Sequence, residues 1–154
     1  SGCRASIAPM PTESDPLRAE LVLAEDDPDD RFLIERALRR VRPRVSVTAV
    51  SDGIELMQLL ARRRDGMLPR LVLLDLNMPR MDGREVLAAL SADAVLCAVP
   101  VVVLTTSVEP EDIERARALS TAAFVSKPDE FGKLMLVLRE MLDRHLGPHP
   151  AEAS

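Results

Sequence analysis

Short runs of wholly apolar residues alternate along the chain with stretches whose apolar positions recur every three or four residues. Leu21-Val22-Leu23-Ala24 is the first run, and it stops at Glu25-Asp26-Asp27. From Asp29 a helical spacing places Phe32, Leu33, Arg36, Ala37 and Leu38 on the repeat, with acids first and arginines last, the order a helix dipole favours. Asp29 and Asp30 read as helix-start residues. Residues 45–50 alternate like a half-buried strand, and Asp52-Gly53 turns the chain into a second helix over 54–64. Leu71-Val72-Leu73-Leu74 is a third strand stopping at Asp75, followed by a loop (LNMPRMDG) and a helix over 84–94. A fourth strand, 101–104, stops at Thr105-Thr106-Ser107, and Pro110 suits the first turn of a helix reaching residue 119. The fifth strand, 122–126, stops at Lys127-Pro128. A final helix over 130–146 has apolar residues at 131, 134, 135, 138 and 142.

Five βα units in a row predict an α/β fold, a doubly wound parallel sheet with helices on both faces. Right-handed crossovers give the order 2-1-3-4-5 most simply. The units occupy residues 19–146 as one domain. Residues 1–18, with three prolines, read as a flexible arm in which Met10 is a candidate start, and 147–154 read as a tail.

Composition narrows the function. The 154 residues carry a net charge of −5, with three Phe and no Trp or Tyr, so the chain lacks both the basic footprint and the stacking platforms of a nucleic-acid binder. No apolar run reaches the ~18 residues of a membrane span, and no secretory signal pattern opens the chain, so a cytoplasmic protein is expected. Two cysteines, Cys3 and Cys97, make neither a disulfide framework nor a metal pattern, and read as free thiols.

In such a sheet, ligands bind beyond the carboxyl ends of the strands. Those ends deliver Glu25 and Asp26, then Asp75, Thr105 and Lys127. Taken singly, each has a plainer use: acids after a strand cap the next helix, an aspartate before a Pro-containing loop suits a turn, and a lone lysine is a solvated charge. Together they describe chemistry. Three close carboxylates repel unless a cation intervenes, and an oxygen-only cluster suits Mg²⁺. A metal, an ammonium (Lys127) and a hydroxyl (Thr105) around Asp75 would neutralise a phosphoryl group, with Asp75 as its nucleophilic acceptor.

The stretches LVLAEDDPDD, LVLLDLNMPRMDG, VVVLTTS and FVSKP resemble, in order and spacing, the signatures of receiver domains of two-component response regulators. The resemblance implies a flavodoxin-like fold and assigns roles by position. Asp75 would be phosphorylated, Asp26 a direct metal ligand, and Glu25 a ligand mainly through water. The backbone carbonyl of Asn77 would complete the Mg²⁺ shell. Thr105 would be the switch hydroxyl, Phe124 the switch aromatic and Lys127 the phosphate-pairing lysine, followed by a cis Lys127–Pro128 bond. Ser120 and Ala123 stand where the family usually has glycine, and Phe124 where it often has tyrosine.

The details DDPDDRFLIERAL and DLNMPRMDGREVL are most similar to single-domain regulators paired with phytochrome-type sensor histidine kinases. The expected function is therefore a phosphoprotein switch, with no enzymatic turnover of outside substrates and no DNA-binding domain. A homodimer through the helix-four, strand-five, helix-five face is expected, with Leu136 facing outward. Two rivals are a pseudo-receiver that ignores phosphate and a haloacid-dehalogenase-type enzyme. The latter normally has a second aspartate two residues after the first, where this chain has Asn77.

Overall fold

The computed structural model describes residues 20–106, 109–118 and 123–147. The expected arm, 1–18, and the tail beyond Gly147 lie outside the described residues, as do Ser107 and Ser120. Five strands, β1 (Glu20–Ala24), β2 (Ser46–Val50), β3 (Leu71–Leu74), β4 (Val101–Thr105) and β5 (Ala123–Ser126), alternate with five helices. These are α1 (Pro28–Val41), α2 (Gly53–Arg62), α3 (Gly83–Ser91), α4 (Pro110–Ala118) and α5 (Phe131–Leu146). All strand pairings are parallel, in the expected order β2-β1-β3-β4-β5.

Strand side chains alternate between faces, so the sheet builds two cores. Val22, Val72, Leu74 and Val103 pack with Leu56, Leu60 and Val86 of α2 and α3. Leu21, Leu23, Leu73 and Leu104 pack with Ile34, Leu38, Leu138 and Leu142 of α1 and α5. The central strands are buried on both sides, which is why they read as unbroken apolar runs. Each fully buried leucine contributes on the order of 2 kcal/mol. No helix among the described residues is long and apolar enough to cross a membrane.

Three helices begin on an aspartate. Asp27 caps α1, accepting from the N–H of Asp29 at 2.9 Å, Asp52 caps α2, and Asp82 forms a capping box with Glu85 on α3. At the other end of the sheet, buried Arg42 donates to the Asp143 carboxylate (3.1 Å) and to the Gly147 carbonyl, tying the end of α1 to the end of α5.

Several expectations need correcting. On α1 the buried residues are Ile34, Ala37, Leu38 and Val41, whereas Phe32 and Leu33 are 62% and 41% exposed. Three apolar residues in a row span too much of the helix circumference to share one face, and only Ile34 is in phase with the later turns. On α5, Met141 and Leu146 join the buried stripe, with Phe131 and Met135 at its margin. An unanticipated 3-10 turn, Leu96–Ala98, leads into β4. Cys97 lies on that turn, and Cys3 lies outside the described residues.

Candidate functional site

Parallel register brings the strand-end residues together. Ala24 is level with Leu74, so Glu25 and Asp75 leave neighbouring strands side by side, and the Asp75 N–H donates to the Ala24 carbonyl at 3.1 Å. One carboxylate oxygen from each of Glu25, Asp26 and Asp75 lies within 4.8 Å of the other two. Glu25 and Asp75 are buried, while Asp26 is open to solvent. Burial drives the Glu25 carboxyl up to about 7; the hydrogen bond from Lys127 opposes that shift, and the charge of Asp75 adds to it.

Lys127 enters from the far side of the sheet. Ser126 is level with Thr105, and the Lys127 N–H donates to the Thr105 carbonyl at 2.8 Å. Its ammonium donates to Glu25 Oε1 (2.6 Å) and Asp30 Oδ2 (3.1 Å), and stands 3.8 Å from Asp75 Oδ2. Burial pulls the Lys127 pKa down, but the hydrogen bond to Glu25 and the charge of Asp75 outweigh it and hold the ammonium above its ordinary value. Thr105 is fully buried at the end of β4. The Asn77 N–H turns back to Asp75 Oδ1 at 3.3 Å, so the loop after β3 curls over the aspartate.

Glu25, Asp26, Asp75 and Lys127 thus share the pocket, Thr105 ends the strand between the last two, and Asn77 lies in the loop that covers it. Phe124 does not share it. It is half-buried within β5, level with Val103, and packs against the core under α2 and α3. The Lys127–Pro128 bond is trans, like every peptide bond described, which is the intrinsic preference of an X-Pro bond.

Asp30 is the pocket residue the sequence concealed. An acid in the first turn of a helix satisfies the dipole already, and nothing local marks it as a partner for a lysine 97 positions away. Arg84 was missed because nothing local marks it as the partner of a carboxylate 28 positions away. Its guanidinium grips the buried Asp112 of α4 with Nε on Oδ1 and Nη2 on Oδ2, each at 2.6 Å. The preceding Gly83 presses α3 against the end of β3, since a Cβ there would stand 2.5 Å from the Asp75 carbonyl oxygen.

The pocket's chemistry suits a divalent cation. Among the described residues, three carboxylates with one ammonium beside them are under-neutralised, and hard oxygen ligands with no histidine or cysteine in the cluster favour a small hard ion.

Comparison with known proteins agrees. Residues 21–139 match the family described as response regulator receiver domain. The probable methanogenesis regulatory protein FilR2 of Methanothrix harundinacea is 36% identical over 137 residues, covering 85% of this chain and 88% of that protein. Response regulator Rcp1 of Synechocystis is 34% identical, covering 77% of this chain and 82% of Rcp1. The crystal structure of phosphorylated RcpA, a cyanobacterial phytochrome response regulator, superposes with a TM-score of 0.77 at 34% identity, covering 84% of this chain and 94% of RcpA. The Mn²⁺-bound form of Rcp1 gives 0.73 at 30% identity, covering 81% of this chain and 92% of that one. Since the matched segment runs from β1 into α5, the chain belongs to the family of response regulator receiver domains.

Proposed function

We propose that the protein is a single-domain response regulator, a cytoplasmic phospho-accepting switch rather than an enzyme with outside substrates. Asp75 takes the phosphoryl group from the phosphohistidine of a sensor histidine kinase. The observation that carries this reading is the setting of Asp75: a buried carboxylate 3.8 Å from the Lys127 ammonium, inside a three-carboxylate cluster. An Asp75 oxygen attacks phosphorus while the P–N bond to histidine breaks and its electron pair returns to the imidazole ring. Mg²⁺, held by Asp26, Asp75 and the Asn77 carbonyl with Glu25 acting through water, would supply charge neutralisation to the phosphoryl oxygens.

Lys127 then pairs with the new phosphate, and the Thr105 hydroxyl donates to it and draws the end of β4 inward. Phe124 fills the space vacated, repacking the α4–β5–α5 face. The likeness to Rcp1 and RcpA supports a phytochrome-type kinase as the donor. The test is labelling by acetyl phosphate or by candidate kinases. Asp75→Asn should remove the label completely with the fold intact. Equal labelling of the variant, or turnover of free phosphate esters, would overturn the reading.

The same face supports a homodimer. Leu136 on α5 is 64% exposed between exposed Lys133 and Glu140, where a second copy would set it against its mate or against Ile113 of α4. Leu136→Glu should yield a folded monomer by light scattering. A wild type that stays monomeric at high micromolar concentration, phosphorylated or not, would end the proposal.

A further inference from the structure

The loop between β3 and α3 is anchored at two ends, and one anchor lies outside the pocket. At its base the Gly83 N–H donates to the Leu76 carbonyl at 2.9 Å, and the Asn77 N–H donates to Asp75 Oδ1 at 3.3 Å. At its tip the loop meets the N-terminus of α2. There the Gly53 N–H donates to the Met81 carbonyl at 2.9 Å, and Arg80 directs both Nε and Nη2 onto Asp52 Oδ2, the Nε bond at 2.9 Å. The approach is so close that a Cβ on Gly53 would stand 2.3 Å from the Met81 carbonyl oxygen.

Arg80 itself is held in an unusual shape. Its φ of 65° makes it the one non-glycine residue in the left-handed region among those described. A side-chain-bearing residue stays there when its surroundings over-determine the backbone. The surroundings are Asp52 and Gly53. Asp52 is buried and is fixed independently of Arg80, because its Oδ1 accepts the Glu55 N–H at 2.8 Å and caps α2.

We infer that Asp52 and Arg80 are positioning residues for the metal centre: by pinning the loop tip to α2 they hold the Asn77 carbonyl where it completes the cation's oxygen shell. The inference rests on the proposed metal site and adds its support. Between Asn77 and Arg80 lie only Met78, which is buried, and Pro79, whose φ is fixed and whose carbonyl accepts the Met81 N–H at 2.7 Å. So short and stiff a segment passes a displacement at Arg80 on to Asn77. Mg²⁺ demands near-ideal octahedral geometry, so a shifted carbonyl weakens its binding.

The experiment titrates the unphosphorylated full chain with Mn²⁺, following free Mn²⁺ by electron paramagnetic resonance, and then displaces it with Mg²⁺. Asp52→Asn keeps a residue that caps helices well but loses the carboxylate. Arg80→Gly removes the guanidinium and accepts the positive φ without strain. Each should weaken Mn²⁺ and Mg²⁺ about tenfold, the lower end of what outer partners of a metal site contribute. The double variant should be no weaker than either single one, because the two residues act as a unit. Arg80→Lys should recover part of the loss, having the charge but not the fork. Both single variants binding within about twofold of wild type, or additive losses in the double variant, would overturn the inference. A wild type that binds neither ion, or an Asp26→Ala variant that binds as well as wild type, would instead overturn the metal site beneath it.

Discussion

Asp52 and Asp112 make an instructive pair. Each is a buried aspartate in the opening turn of a helix, each receives an arginine from the segment after β3, and each partner lies 28 positions away. The carboxylates are used differently. Asp52 divides its oxygens, one for the α2 cap and one for an arginine that is largely exposed. Hydrogen bonds from the Glu55 N–H and from Arg80 hold its carboxyl below the usual range. Asp112 meets Arg84 fork to fork with both oxygens, and that contact holds the Arg84 pKa above its ordinary value, with the charge of Asp75 adding to the effect. The first arrangement steadies a loop beside the pocket. The second joins α3, packed on the end of β3, to α4, the helix that follows Thr105. One chemistry thus serves support on one flank and linkage on the other.

The largest effects should come from the glycines that let both flanks close. Gly83→Ala and Gly53→Ala would each place a Cβ within 2.5 Å of a backbone carbonyl oxygen. Each should destabilise the fold by about 2–3 kcal/mol in urea melts. Wild-type midpoints would show that the corresponding flank is not packed as described. Next comes Asp112→Ala, which strips a partly buried guanidinium of its carboxylate and should lose about 2 kcal/mol. Its Mn²⁺ affinity should stay within about twofold of wild type. That is the reverse of Asp52→Asn, and equal profiles for the two variants would erase the distinction between support and linkage. The smallest effect is expected for Arg39→Ala on α1, whose pairing with Glu35 at 3.4 Å is exposed. It should leave the melting temperature unchanged, because solvent screens such a pair.

The contrast also explains what the sequence could disclose. β3 occupies Leu71–Leu74 as its apolar run predicts, because a strand buried on both faces has no polar position to blur its limits. Glu25, Asp26, Asp75, Thr105 and Lys127 were legible because each ends a strand, and a parallel sheet gathers strand ends. Asp30, Asp52, Arg80, Arg84 and Asp112 were not. Each looks like an ordinary helix-start or loop charge, and its partner is set by the tertiary crossing of two segments. The phase of α1 was obscured by Phe32-Leu33-Ile34, where the local pattern fits more than one face and packing selects Ile34. Phe124 was recognisable as an aromatic on β5, but its separation from the pocket follows from strand register.

The contact at Gly83 also bears on how the gene can change. Every one-base change that replaces a glycine codon with another amino acid adds a Cβ, and here that atom would fall 2.5 Å from the Asp75 carbonyl oxygen and 2.7 Å from the Leu76 Cα. Both neighbours are backbone, so no companion substitution elsewhere can clear the space by shortening a side chain. Replacing the amino acid at this codon is therefore costly unless α3 itself is re-seated. The loop after β3 inherits its geometry from an atom that is missing.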